Sequence, residues 1–518
     1  MKPILCAAFL GAALPVAAAE LRFATTSDPT TLDPNAGNSA PVHSLLGNVY
    51  EGLVRRGRGM EIEPALATSW TPLEDGDGWR FTLREGVTFH GGEAFTAEDV
   101  VFSYQRASSP ESDTASWFAG VADVEAVDDY TVDIRLDAPN PIFIDGIANW
   151  AMMDSSWAAA NDAERPSIER GNHATLNTNG TGPYRVTERQ PGLRTVLEAY
   201  EGWWGEDRGN VTRAVYTPVT NEATAVAALL SGELDLVNPV PVQDAARLEA
   251  SPGVEVIRGI EARVIVLGFP HNAEELIGGG ETEGNPFADA RVRRAVAAAI
   301  DVPAILQTVM RGSAEQATQL IGPGLRGYSE AVAPTAHDPE AARALLAEAG
   351  YPDGFPFSLR CTNDRYLNDE AVCTAIAAML ARVGLAPALE TMPVANYFPT
   401  LRADEHDMYL LGWSPGTFDA EHPLRFLAAT PDEAALLGSW NFGGYSNARV
   451  DELIPLIQRE TEEAARQAMI DEVNAIVAEE QAYVPLYIQP LIWGVREGVE
   501  VLQRPDDFIV LRWIEMPE

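Results

Sequence analysis

A chain of 518 residues is longer than one hydrophobic core usually organises, so two or more domains of roughly 100 to 250 residues each are expected. The pattern of elements then sets the class. Alternation at Trp79, Phe81 and Leu83, and again at Val132, Ile134 and Leu136 after the turn-prone pair Asp128 and Asp129, predicts strands. Thr96 with Asp99 approximates a capping box and opens a helix whose Val100, Val101 and Tyr104 share a face. Asp338 as N-cap, Pro339 at the first helical position and Gly350 at the stop frame another helix, and residues 221–231 and 450–479 read as further helices. Strands and helices mix along the whole chain, which makes the class α/β or α+β. The stretch Asn272 to Pro286 has no periodic apolar face and reads as a mobile surface loop. Its Glu274, Glu275, Glu281 and Glu283 disfavour a phosphate cradle around Gly278, Gly279 and Gly280.

The N-terminus predicts export. Lys2 supplies a positive start, Ile4 to Val16 an apolar run, and Ala17, Ala18 and Ala19 the small-residue cleavage pattern, so residues 1–19 read as a signal peptide. That run is too short to span a bilayer, and no later stretch of about 18 uncharged apolar residues follows. Cys6 lacks the context of a lipoprotein cleavage site, which favours a free periplasmic protein. The formal net charge of −40 becomes −41 once Lys2 is removed, a surface that repels nucleic acid and anionic headgroups and favours solubility. Lys2 is also the only lysine. The exported chain therefore has no Schiff-base chemistry, no pyridoxal attachment and no lysine-bearing P-loop, and any ATP hydrolysis belongs to another polypeptide.

Cys361 and Cys373 are the only cysteines left after export. In an oxidising compartment they are expected to pair, and closing so short a loop stabilises by roughly 3 kcal/mol in the chain-entropy model. Two reduced, buried thiols are the alternative.

Several blocks carry a more specific signal. TLDP at Thr31 to Pro34 precedes NVYEGLV at Asn48 to Val54 and EPALATSW at Glu63 to Trp70; then comes TLREGVTFHGGEAFTAEDVVFSYQR from Thr82 to Arg106. GTGPYRV at Gly180 to Val186, SGELDLV at Ser231 to Val237, PFADARVRRAVAAAID at Pro286 to Asp301 and LLAEAGYPDGF at Leu345 to Phe355 follow in order. From about Leu21 to Trp493 the set resembles the family 5 extracellular solute-binding proteins, the peptide- and nickel-binding components of bacterial ABC importers. The resemblance implies an α/β, two-lobed periplasmic-binding-protein fold of type II, cluster C-like, with an extra subdomain inserted in the first lobe. Lobe I would comprise residues 20–55, 180–265 and 488–518, the inserted subdomain 56–179 and lobe II 266–487. Crossovers near Val264 to Pro270 and Pro485 to Pro490 would form the hinge. It also implies a monomeric, non-enzymatic carrier without cofactor or nucleic-acid partner. Such a carrier clamps a peptide or peptide-like small solute and presents it to an inner-membrane ABC permease with separate ATPase subunits.

The same resemblance nominates ligand-binding residues. Arg365, in CTNDRYLNDEAVC between the two cysteines, stands where dipeptide-binding relatives grip a ligand carboxylate, a role suited to a planar guanidinium. Tyr366 and Tyr397 could sandwich a ligand or simply pack. GWSPGTFDAEHPL, Gly412 to Leu424, is similar to the block in which peptide binders hold the ligand amino group with an acid shortly after the tryptophan. Here Pro415 and Gly416 occupy that place and the first acid is Asp419, which either substitutes or caps a turn. Trp413 is expected to line the cleft. That departure leaves open an opine, a modified peptide, a glycoside or a nickel chelate. The histidines form no HExxH or close pair with cysteine, so no metal site is expected, with His422 the one to watch. An exported hydrolase is the rival class, although the chain has no GxSxG elbow and no evident nucleophile. Reporting to a chemoreceptor is a further alternative.

Overall fold

The computed structural model describes residues 19–74, 76–167, 169–432 and 437–517. The export signal, apart from Ala19, lies outside the described residues. Among them the largest sheet has eleven strands. Its path runs Ala386–Met392, Pro356–Thr362, Met408–Trp413, Val254–Gly268, Tyr483–Arg496, Leu236–Asn238, Ala19–Thr25, Val211–Pro218, Arg194–Ala199 and Tyr184–Gln190, and the eleventh strand, Glu315–Gln316, pairs with Tyr483–Arg496 off this path. Two long strands, Val254–Gly268 and Tyr483–Arg496, pair antiparallel in the middle of this sheet and connect its two halves.

Period-two alternation on buried strands divides the core by face. In the second lobe Val264, Val266, Tyr409 and Leu411 point into one core, while Ile265, Leu267, Met408 and Leu410 point into another. In the first lobe Leu21, Phe23, Leu236 and Trp493 face one core, and Ala24, Val237 and Ile492 the other. The long strands change allegiance between Ile257 and Val264, and between Ile488 and Ile492. On the first of them the crossing precedes the stretch Val264 to Pro270 expected from sequence. Val264 to Leu267 are fully buried between the two second-lobe cores, which explains their unbroken apolar run.

A separate four-stranded sheet, Ala67–Pro72, Gly78–Leu83, Thr131–Leu136 and Val121–Asp128, packs with the helix Ala97–Ala107 around its own core. Phe81, Leu83, Val132, Ile134 and Leu136 fill that core and Trp79 rests on its edge. The Thr96 cap is reciprocal, the Thr96 N–H donating to Asp99 Oδ2 at 3.0 Å. Asp338 accepts from the N–H groups of Glu340 and Ala341 and opens the helix Pro339–Glu348. The stretch read as a helix over 450–479 is two helices, Ala448–Ile457 and Glu463–Glu479. The acidic loop after Asn272 has little regular structure but is tied down, because Ile277 and Gly278 donate to the Asp407 carboxylate at 2.7 and 2.8 Å. The GTGPYRV block is a close backbone approach: a Cβ on Gly180 would lie 2.0 Å from the Val49 carbonyl oxygen, so only glycine fits.

Candidate binding site

Open α/β sheets bind ligands outside the carboxyl ends of their parallel strands. In the first lobe Ala19–Thr25 runs parallel to Leu236–Asn238 and Val211–Pro218, and in the second Pro356–Thr362 runs parallel to Ala386–Met392 and Met408–Trp413. The carboxyl ends at Asn238 and, in the other lobe, Thr362 and Trp413 converge on the crossing. There the long strands lose register: Ile260 pairs with Pro490 and Val264 with Ile488, so Glu261, Ala262 and Arg263 oppose Gln489 alone. Such a bulge re-aims side chains that a regular strand would point elsewhere. Val264, beside it, pairs with Trp413.

The bulge carries an internal ion pair. Arg263 reaches Glu261 at 2.8 and 3.1 Å, and Gln489 donates to Glu261 at 2.7 Å. Burial is the largest single influence on Arg263 and works against its charge, but Glu261, Tyr366 and Asp507 together hold the guanidinium above its ordinary pKa. Arg365 follows the strand Pro356–Thr362 on a loop fixed from below. Asp369 accepts from Thr362 Oγ1 at 2.6 Å and from the N–H groups of Arg365 and Tyr366 at 3.1 Å each. A disulfide between Cys361 and Cys373 ties the strand to the helix Asp369–Ala381. The guanidinium carbons of Arg365 and Arg263 lie 5.7 and 6.0 Å from the Tyr366 ring centroid, so two cations flank one ring.

Arg365 is open to solvent and yet hemmed in by protein, as a cleft wall is. Desolvation, followed by the like charge of Arg263, pulls its pKa below the ordinary value. It makes no ion pair among the described residues. Across the crossing, Asp507 Oδ1 accepts from Trp493 Nε1 at 2.8 Å and from Asn238 Nδ2 at 3.0 Å. Burial, and then the neighbouring Glu261, push its carboxyl up to about 7.

The other residues nominated from sequence divide. Tyr366 is 6% exposed and donates to the Gly412 carbonyl at 3.4 Å, against the bulge. Trp413 is 9% exposed and donates to His422 Nδ1 at 3.1 Å; its ring lies 5.3 to 5.5 Å from those of His422, Phe426 and Trp440, making an aromatic wall. His422 serves that wall as a neutral acceptor, because burial drives its pKa down to about 3. Tyr397, by contrast, is 0% exposed and its hydroxyl donates to the Leu410 and Arg360 carbonyls, so it is core and not cleft.

Asp419 is likewise no substitute for the missing acid. It is 1% exposed, Arg466 holds both its oxygens at 2.7 and 2.8 Å, and Arg326 and the Glu421 N–H take what remains. Sequence reading missed Glu261, Arg263, Gln489, Asn238 and Asp507. The one available signal was two opposite charges, Glu261 and Arg263, directly before the apolar run Val264 to Leu267.

At another point the four-stranded unit touches the second lobe. Arg56 donates to the Thr417 carbonyl at 3.1 Å and its guanidinium sits 4.5 Å from the Phe418 ring centroid, while Arg326 reaches Asp145 at 3.4 Å. A cavity of about 110 Å³ elsewhere is lined by Arg55, Arg56, Arg504 and Arg512. Each of these arginines is already committed to a carboxylate, on Glu63, Asp145, Asp506 and Asp207 respectively. Among the described residues no group of three or more His, Cys, Asp or Glu side chains could hold a metal ion, and no helix is long and apolar enough to cross a membrane.

Known proteins share this architecture. The glutathione-binding protein GsiB of Escherichia coli K12 is 28% identical over 483 residues, which is 92% of this chain and 90% of the relative. The periplasmic binding protein DppA of Helicobacter pylori, solved with the peptide STSA, superposes with a TM-score of 0.81 at 24% identity, covering 97% of this chain and 98% of that one. AgaA of A. tumefaciens R10, solved with agropinic acid, gives 0.79 at 23% identity, covering 96% and 100%. The profile of the bacterial extracellular solute-binding proteins, family 5 (Middle), matches residues 61–434. The chain belongs to the family 5 bacterial extracellular solute-binding proteins.

Proposed function

We propose that this protein is a free, monomeric periplasmic carrier that captures a peptide or peptide-like solute bearing a carboxylate. It delivers that solute unchanged to an inner-membrane ABC permease whose ATPase subunits are separate chains. One observation carries the reading: Arg365, a solvent-open cation that makes no ion pair among the described residues, lies beside Arg263 and Glu261 of the crossing strand, and Glu261 in turn neighbours Asp507 of the first lobe. A solute that touches both walls makes all its contacts only when the lobes are closed, and this differential affinity moves the population to the closed form. Closure also removes water from the charged hydrogen bonds, which strengthens them. We assign lobe I to 20–55, 180–265 and 488–518, an inserted subdomain to 56–179 and lobe II to 266–487; the separate cores favour this broad division, with Val264, Ile265 and Ile488 at the margins of lobe I packing into second-lobe cores. Tyr366 and Trp413 complete the second-lobe wall, with Arg263 beside them on the crossing strand.

The glutathione, peptide and agropinic acid of the relatives all carry carboxylates, in keeping with an arginine as the anchor. Agropinic acid and related opines are the second reading, favoured by Pro415 and Gly416 standing where peptide binders place an acid. Thermal-shift screening of peptides, glutathione, opines, glycosides and nickel chelates tests the proposal, because a ligand selective for the native state raises its melting temperature. A carboxylate solute that stabilises the protein and is recovered intact is the expected result. Stabilisation by glycosides or nickel chelates alone, or recovery of cleaved products, would reject it.

A further inference from the structure

Charge balance at the crossing identifies the other end of the ligand. Glu261 and Arg263 neutralise each other within the bulge. Two charges are then left over, Arg365 on the second lobe and Asp507 on the first, and neither makes an ion pair among the described residues. The partners of Asp507, the Trp493 indole and the Asn238 amide, are neutral donors and both take Oδ1. They fix the carboxylate without cancelling its charge, and Oδ2 has no hydrogen-bond partner among the described residues. The backbone at Asp507 is left-handed, at φ 61°, a conformation that a non-glycine residue holds only where its surroundings impose it. Asp507 is therefore a positioned carboxyl group without an ion-pair partner, set against Asn238 at the carboxyl end of a first-lobe strand and within electrostatic reach of Glu261 and Arg263.

We infer that Asp507 receives the ammonium group of a zwitterionic ligand whose carboxylate is held by Arg365, so that the ligand's two charges bridge the two lobes. This rests on the proposed reading of the cleft as the solute site. It also accounts for Pro415 and Gly416, since an acid after Trp413 is unnecessary when the first lobe supplies one. Burial, and then Glu261, raise the proton affinity of Asp507 in the empty cleft, and a cation held against it would lower that affinity again. A cationic amine would restore the balance, whereas an N-acylated ligand would leave Asp507 buried against a neutral amide.

The test uses isothermal titration of the full exported chain with reduced glutathione and Ala-Ala-Ala, each also N-acetylated and each also C-amidated. Wild type should bind the free-amine forms about tenfold or more tightly than the acetylated forms. Asp507→Asn, which keeps the Oδ1 acceptor, should abolish that preference and leave the affinity for acetylated forms within about threefold. Equal wild-type affinity for free and acetylated forms, or a preference that survives in Asp507→Asn, overturns the inference. Should the variant fail to fold, the wild-type comparison alone decides. Failure of the underlying reading is distinguishable: no probe binds, or free and amidated carboxyl termini bind alike.

Discussion

Replacing Arg365 with alanine should separate binding from folding. The side chain forms no ion pair among the described residues, and the loop is held by its backbone N–H to Asp369, which alanine retains. The unligated variant should therefore keep its stability to within about 0.5 kcal/mol. The bound state loses more. A hydrogen bond to a charged group is worth about 1.5–3 kcal/mol, and about 1.4 kcal/mol is tenfold in affinity. One lost bond thus weakens a carboxylate ligand on the order of 10- to 100-fold, and a bidentate pair more. Arg263 cannot take over, because Glu261 already holds it at 2.8 Å. Calorimetric titration with a peptide and its C-terminal amide, beside a urea melt of the empty protein, reads both quantities. The variant should lose the preference for the free carboxylate while its unfolding midpoint stays put. Affinity within about threefold of wild type, or a melt shifted by more than about 1 kcal/mol, would show that Arg365 is a structural residue and refute the reasoning.

Asp419→Ala should do the reverse, destabilising by about 3–5 kcal/mol in a urea titration, because it strands the buried Arg466 guanidinium; binding by the folded fraction should persist. Reducing the Cys361–Cys373 disulfide should cost about 3 kcal/mol of stability and weaken carboxylate binding as the Arg365 loop loosens, both readable with and without reductant. The Asp507 carboxyl, raised to about 7 in the fold, contributes stability at low pH that is lost as pH rises through that value. Asp507→Asn should accordingly be more stable than wild type at pH values above 7, with the difference shrinking toward acid. In wild type, affinity for an amine-bearing ligand should fall as pH drops below 7, where Asp507 becomes neutral.

Local chemistry was legible in the chain. The Thr96 cap and the alternation through Phe81 and Ile134 each express themselves within a few residues, and the ordered blocks carried the fold. Non-local partnerships were not legible. Asp419 follows Trp413 in sequence and so suggested a ligand group, but its partner Arg466 is 47 positions away. Tyr397 resembles any cleft tyrosine until the sheet brings the Leu410 carbonyl to its hydroxyl. Asp507 is one of many acids in a strongly acidic chain, and only the sheet that brings Trp493 and Asn238 together at the crossing singles it out. Nor does any local pattern announce that Val264 to Leu267, the start of the expected crossover, have apolar side chains claimed by cores on both sides of one strand.

Small-angle X-ray scattering, with and without a saturating tight-binding zwitterion, tests the two-walled clamp most directly. The account predicts a smaller radius of gyration on saturation, reversed by dialysis, with the solute recovered unaltered. An unchanged radius at full occupancy would mean that one wall suffices, and the clamp would have to be abandoned.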